Sequence, residues 1–125
     1  MIYTENSQYV VKFYIDRQQG GSPVQGFIES LPANHQAKVL KYIDFLRQHQ
    51  GVLDEPYSRH IKGKLRELRV DFGRNNYRFF YFTFIRQTIV ILHGFSKRTP
   101  RTPLSEIKIA EERYQNAINH PSYYV

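Results

Sequence analysis

The sequence contains no cysteine, which excludes both a disulfide framework and a thiolate metal site. Its five histidines are scattered, and none is spaced from a carboxylate as a zinc motif requires. We therefore expect a protein that works without a metal or another cofactor.

Long apolar runs are also missing. No stretch approaches the roughly 18 apolar residues of a membrane span. The N-terminal segment MIYTENSQYV lacks the basic region and the apolar core of a secretory signal peptide. These absences predict a cytoplasmic protein that makes no membrane contact.

Acidic residues are few relative to basic ones. The 11 Asp and Glu stand against 18 Lys and Arg, which gives a formal net charge of +7 on 125 residues. A surplus of this size attracts polyanions, so nucleic acid is the first candidate partner and an acidic protein surface is the second. The length fits one domain, over residues 1–125, with a single core.

The first half of the chain predicts one strand and two helices. Residues Tyr9–Ile15 are β-branched and aromatic, as is typical of a strand. Ser22 and Pro23 mark the start of a short helix over Val24–Leu31. A second helix is predicted over Ala33–Gln50. Its inward stripe is expected to contain Ala37, Leu40, Ile43 and Leu46.

The second half predicts three more strands and a helix. The strands cover Leu65–Phe72, Tyr77–Ile85 and Thr88–Phe95, after an irregular segment from Val52 to Gly63. The helix runs from Pro103 to Asn119. The whole pattern predicts an α+β domain, in which an antiparallel twisted sheet of about four strands packs against an N-terminal helical hairpin and a C-terminal helix.

Charged residues enter this sheet at regular positions. In the first of the three strands, Glu67, Arg69 and Asp71 alternate with apolar residues and share one face. The next strand is apolar on both faces except at Arg78, which indicates a central strand. A buried arginine needs a partner. Arg78 therefore either pairs with Glu67 or Asp71, or binds an anionic ligand, and Arg69 carries the same ambiguity.

Further basic residues surround these strands. Lys97 and Arg98 follow the last strand, where a loop on a rigid scaffold can carry active groups, although a solvated turn is the alternative. Other residues that could bind a nucleic-acid backbone are Lys62, Lys64, Arg74 and Arg101.

Two other side chains in the predicted sheet invite a functional interpretation. Tyr81 could stack a base, although most aromatics of its strand must belong to the core. His93 lies on the alternation set of Ile89, Ile91 and Phe95, and we expect it to be a satisfied core histidine.

Several segments resemble a known family. Residues 64–69 (KLRELR), 77–81 (YRFFY) and 92–103 (LHGFSKRTPRTP) resemble the phage-derived branch of the RelE/HigB toxins, and so do residues 21–32 (GSPVQGFIESLP). The resemblance implies the compact RelE-like fold and a type II toxin. Such a toxin is a ribonuclease that cuts mRNA on the ribosome, by attack of a 2′-hydroxyl on the adjacent phosphate. A helix-turn-helix antitoxin silences it, in a complex that can be of higher order.

The family's functional residues can be mapped by motif. Its phosphate-binding arginine falls at Arg78, and its basic pair falls at Lys97 and Arg98. The preceding strand supplies Arg69, with Glu67 beside it as a candidate proton acceptor. The resemblance leaves the general acid open between Lys97 and Tyr81.

Two other functions are compatible with a basic domain of this kind. One is a ParE-like toxin, which shares the fold and binds a protein such as gyrase without cutting RNA. The other is a basic RNA-binding module without catalysis. Because ParE-type toxins lack the basic catalytic set, the cations at positions 69, 78, 97 and 98 favour cleavage.

Overall fold

A computed structural model of the chain describes residues 9–125. Residues 1–8, which make up most of the segment searched for a signal peptide, lie outside the described residues. The helices and strands, in chain order, are β1 (Val10–Phe13), α1 (Pro23–Glu29), α2 (Ala33–Gln48), β2 (Ser58–Lys62), β3 (Leu65–Phe72), β4 (Asn75–Phe84), β5 (Thr88–Ser96) and α3 (Leu104–Asn119). Between residues 9 and 125, no helix has the length and apolar content needed to cross a bilayer.

The predicted α+β class is confirmed, but the sheet differs from the prediction in two ways. It has five strands in the order β1-β5-β4-β3-β2, and β1 pairs with β5 in parallel, so the sheet is mixed. The additional strand is β2, which lies within the segment predicted to be irregular. Its sequence, SRHIK, is mostly charged or polar, as is common for an edge strand. Because the strand lacks a run of β-branched residues, its sequence does not predict a strand.

The sheet separates two apolar cores. On one face it packs against α1 and α2, through buried side chains that include Phe79 and Tyr81 of β4. On the other face it packs against α3, through Phe80 and Phe82 of the same strand. β4 lies at the centre of the five strands, which confirms the prediction of a strand buried on both sides.

A one-residue irregularity in β5 changes which side chains share a face. Phe80 pairs with His93, but the next residue, Tyr81, pairs with Ile91, so Leu92 is an extra residue in the ladder. Ile91 consequently belongs to the core below α1 and α2, whereas Leu92 and Phe95 belong to the α3 core. The predicted grouping of His93 with Ile89 and Ile91 is therefore wrong.

The helices begin close to where the sequence predicts them. Ser22 caps α1, since its Oγ accepts a hydrogen bond from the backbone N–H of Gln25 at 3.3 Å. The predicted inward stripe of α2 is partly wrong. Ala37 is exposed and Leu40 is 51% exposed, while Val39 is buried beside Ile43 and Leu46.

Candidate functional site

Five charged residues meet on the α3 face of the sheet, toward the end where β5 leaves it. We call them the basic cluster: Arg59, Glu67, Arg69, Arg78 and Lys97. Strand register brings them together, because Arg59 pairs with Glu67 across β2 and β3, and Arg69 pairs with Arg78 across β3 and β4. Lys97 follows β5, and its backbone N–H donates to the carbonyl of Asn76 at 2.7 Å.

Glu67 is the buried anion of the basic cluster. It is 1% exposed, and its Oε1 lies 3.6 Å from the Nε of Arg59 and 3.9 Å from the Nε of Arg69. Its Oε2 has no hydrogen-bond partner among the described residues. A buried carboxylate is costly unless cations compensate it, so the two arginines stabilise Glu67 and are held by it.

Arg78 is a buried arginine with spare hydrogen-bonding capacity. It is 3% exposed, and its Nη1 donates to Asp71 Oδ1 at 2.8 Å and to the carbonyl of Tyr77 at 2.9 Å. The predicted internal ion pair is thus present, with Asp71 as the partner. Within residues 9–125, however, the Nε atoms of both Arg78 and Arg69 are buried and have no hydrogen-bond partner. Buried donors of this kind can receive the oxygens of an anion.

The ammonium group of Lys97 belongs to the same electrostatic environment. Its pKa is lowered, first by burial and then by the neighbouring positive charge of Arg78, with further effects of Arg69 and Arg59. Glu67 acts in the opposite direction. A lysine with a lowered pKa gives up its proton more readily than an ordinary lysine, so Lys97 is suited to proton donation.

A polar cleft opens beside the basic cluster. It has a volume of about 500 Å³ and lies between the β3–β4 turn and the loop that follows β5. Lys97 lines it, together with the predicted binding residues Arg74 and Arg98. Arg101 is exposed in the next part of the same loop. The cleft could therefore admit a phosphate-bearing chain to the cluster.

The sequence model of the phage-derived Gp49-like proteins (DUF891) matches residues 26–115. The chain belongs to this family. The family is one of the RelE-like toxins of type II toxin–antitoxin systems. A search of curated proteins returns no match. The matched range of this Gp49-like chain contains all five members of the basic cluster.

Tyr81 does not join the basic cluster of this Gp49-like chain. It is fully buried on the opposite face of the sheet, in the core below α1 and α2. Its hydroxyl donates to the carbonyl of Gly51 at 2.7 Å, lies 2.8 Å from Ser58 Oγ and receives a 3.3 Å hydrogen bond from Arg66 Nε. Burial raises its pKa. These contacts give Tyr81 a structural role in the core.

Lys62 and Lys64 also lie away from the basic cluster. Both line a separate cleft beside Glu111 and Tyr114 of α3, near the start of β3. Lys62 forms an ion pair with Glu111, with 2.7 Å between Nζ and Oε2. The structure therefore separates these two predicted binding residues from Arg69, Arg78 and Lys97.

His93 is a satisfied histidine, as predicted, although its surroundings differ from the prediction. Its Nε2 lies 2.5 Å from Oε1 of Glu106, and its Nδ1 accepts from Arg113 Nη1 at 3.4 Å. Burial is the first cause of its lowered pKa, and Arg113 adds to it against the opposing effect of Glu106. The Arg113 contact requires a free lone pair on Nδ1, which only the neutral ring has. His93 therefore joins the sheet to α3 in its neutral form.

Arg59 is the member of the basic cluster that sequence reasoning did not assign to the site. The sequence places it in a basic segment with His60, Lys62 and Lys64, ahead of the predicted sheet, which could either bind a nucleic-acid backbone or form a solvated loop. Its position depends on β2, which pairs Arg59 with Glu67.

Within residues 9–125, no group of three or more His, Asp or Glu side chains is arranged to hold a metal ion.

Proposed function

We propose that this chain is the toxin of a type II pair and that it cleaves mRNA on the ribosome without a metal. The observation that carries the proposal is the pair of buried, unfilled Nε donors on Arg69 and Arg78, beside Lys97. Guanidinium groups match the non-bridging oxygens of a phosphate and stay charged at every relevant pH.

The proposed reaction is an internal transesterification. The ribose 2′-oxygen attacks the adjacent phosphorus, its proton passes to solvent, and the bond from phosphorus to the 5′-oxygen breaks. Arg69 and Arg78 stabilise the negative charge that develops on the phosphorus oxygens. Lys97 donates a proton to the departing 5′-oxygen and is reprotonated by solvent. The products are a 2′,3′-cyclic phosphate and a free 5′-hydroxyl.

The contacts of Glu67 with two arginines argue for a supporting role of this residue in the scheme. A proton acceptor must come within hydrogen-bond reach of the 2′-hydroxyl. Glu67 lies between Arg59 and Arg69, and its negative charge repels a phosphate, so it is better placed to hold the arginines than to touch RNA. Tyr81 has no part in the proposed reaction, because it lies on the other face of the sheet.

The proposal also includes the partners of such a toxin: the ribosome with its mRNA as the target, and a helix-turn-helix antitoxin as the inhibitor. The net charge of +7 favours both an RNA substrate and an acidic antitoxin segment.

Induction of the chain in a bacterial host tests the proposal. Wild-type protein should arrest growth, and primer extension should reveal new 5′ ends within transcripts. Arg78→Ala and Lys97→Ala should each lower cleavage about 100-fold or more, since each removes a charge from the transition state. Lys12→Ala, an exposed cation on β1, is the matched control and should behave as wild type.

Circular dichroism should show that the two inactive variants remain folded. Growth arrest with uncut transcripts would overturn the proposal and favour an inhibitor that binds a protein target. Full cleavage by folded Arg78→Ala protein would overturn it as well.

A further inference from the structure

Arg59 extends the basic cluster to the edge of the sheet. It lies on β2, the edge strand next to β3, and its side chain is 46% exposed. Its register partner is Glu67, and its Nε lies 3.6 Å from Glu67 Oε1, so its guanidinium lies on the same face of the sheet as the other cations. Arg59 is therefore a more solvated cation than Arg69 and the buried Arg78.

Glu67 fixes the position of Arg59. The two residues are register partners, and Glu67 Oε1 lies 3.6 Å from the Nε of Arg59. The same oxygen lies 3.9 Å from the Nε of Arg69, so one buried carboxylate orients two arginines. This contact engages the Nε side of the guanidinium of Arg59, and the exposed part of the group is left for solvent or for a ligand.

Sheet geometry separates Arg59 from the proposed reaction centre. Arg78 lies on β4, two strands away from β2. Neighbouring strands are about 4.8 Å apart, so the two backbones are roughly 10 Å apart across the sheet. Arg78 is buried, whereas the side chain of Arg59 is 46% exposed, so Arg59 offers an anion a separate position at the solvent-facing edge of the cluster.

We propose that Arg59 is a subsite for a second phosphodiester, which flanks the linkage held by Arg69, Arg78 and Lys97. This inference rests on the proposed function and adds a direction to it. Single-stranded RNA would cross the strands from the cleft beside Lys97 toward the β2 edge. Glu67 is then a positioning residue, which holds Arg59 and Arg69 without touching the RNA.

Binding of an uncleavable RNA tests the subsite without the ribosome. The probe is a fluorescein-labelled 2′-O-methyl pentanucleotide, with its affinity measured by fluorescence anisotropy over a range of salt concentrations. Arg59→Ala should weaken binding about fivefold at low salt. It should also reduce the slope of log K against log salt by about 0.7, the value for one single-strand phosphate contact. Lys12→Ala removes an exposed cation from the opposite edge strand and should change neither quantity.

Neutral methylphosphonates, placed at one linkage at a time, identify the phosphate involved. At one linkage, the losses of binding free energy caused by the methylphosphonate and by Arg59→Ala should be non-additive, because both changes remove the same contact. Lys97→Ala should couple to a different linkage. If Lys97→Ala is non-additive with a methylphosphonate at one linkage but Arg59→Ala is additive at every linkage, the subsite is overturned and the proposed cleavage stands. Coupling of both residues to one linkage, or failure of the wild type to bind the probe, would also overturn the subsite.

A pH profile of transcript cleavage separates the two possible roles of Glu67. Glu67→Gln keeps the volume of the side chain and removes its charge. A positioning role predicts a lower rate at every pH with the shape of the profile unchanged. An acidic limb that is present in the wild type and lost in Glu67→Gln would mean that Glu67 accepts a proton, which would overturn its assignment as a positioning residue.

Discussion

At the scale of single residues, the basic cluster is defined by what it leaves unpaired. Arg69 and Arg78 each have a buried Nε without a hydrogen-bond partner among the described residues. Glu67 is also incompletely paired, since its Oε2 accepts no hydrogen bond within the same range. If every buried polar atom of the cluster had a hydrogen-bond partner, the cluster would be explained as an ion-pair network that stabilises the sheet. Under the proposed function, we expect an anion to complete the pairing of these buried Nε atoms.

A substitution at Lys97 can separate the contribution of its positive charge from the contribution of its transferable proton. Lys97→Arg keeps the positive charge, but a guanidinium does not give up its proton. We expect RNA affinity within about twofold of wild type and a cleavage rate lowered about 100-fold, as is typical for loss of a general acid. The comparison requires anisotropy for binding and single-turnover cleavage on programmed ribosomes for the rate.

The pH dependence of the same variant gives a second test. The pKa of Lys97 is lowered by burial and by Arg78, so wild-type cleavage should decline with rising pH before an ordinary lysine, near 10.5, would lose its proton. Lys97→Arg should lack this alkaline decline. A profile that declines identically in both proteins would show that another group donates the proton.

At the scale of elements, the bulge in β5 determines what the α3 face contains. If β5 alternated regularly through Leu92, His93 and Phe95 would continue the alternation of Ile89 and Ile91 and face α1 and α2. The bulge returns Phe95 to the α3 face, beside Arg78 in the next strand. A small register change thus sets the surroundings of the basic cluster.

Gly94 follows the bulge and packs closely below it. A Cβ at this position would lie 2.7 Å from Cε2 of Phe79 and 3.0 Å from Cδ2 of Phe27. Phe79 is fully buried and cannot move aside freely. We expect Gly94→Ala to lower the free energy of unfolding by about 1–3 kcal/mol, the usual cost of overpacking, as measured by urea denaturation.

Gly26 provides the matched control for this substitution. It lies in α1, and a Cβ there would meet no atom within 4 Å. Gly26→Ala should raise stability by about 0.5–1 kcal/mol, because alanine favours the helix. Equal effects of the two substitutions would show that the close packing around Gly94 carries no energetic cost.

The same elements explain how much of the site the sequence could predict. Alternation in β3 correctly places Glu67 and Arg69 on one face, and an arginine within an apolar strand correctly indicates a buried Arg78. Arg59 could not be assigned, because its contribution depends on a polar edge strand whose sequence carries no apolar alternation. Alternation could have excluded Tyr81 from the site of Arg78, because residues three positions apart on one strand lie on opposite faces of the sheet.

At the scale of the whole molecule, the sheet holds two separate cores, and the basic cluster belongs to the face that α3 covers only in part. α3 packs on β4 and β5 and meets β2 at its end, through the Lys62–Glu111 ion pair, whereas Arg59 near the start of β2 is 46% exposed at its side chain. The direction of β1, parallel to β5, is likewise a property of the whole chain, since a strand pattern does not encode the direction of its partner. The uncovered end of the sheet is what allows Arg59 to reach solvent.

The attachment of α3 to the sheet should depend on pH through His93. Its pKa is lowered in the folded chain by burial and by Arg113, whereas the unfolded chain titrates near the ordinary value of 6.5. The unfolded state therefore binds more protons below that value, so stability should be complete above about pH 6.5 and should fall as the pH drops toward the folded pKa.

His93→Gln, which stays neutral, should lose about 1 kcal/mol of stability at pH 7.5 through imperfect hydrogen bonding. Between pH 7.5 and 5.5 it should lose less further stability than wild type, by urea denaturation at each pH. An equal or steeper loss in the variant would show that His93 is not the group through which acid loosens α3.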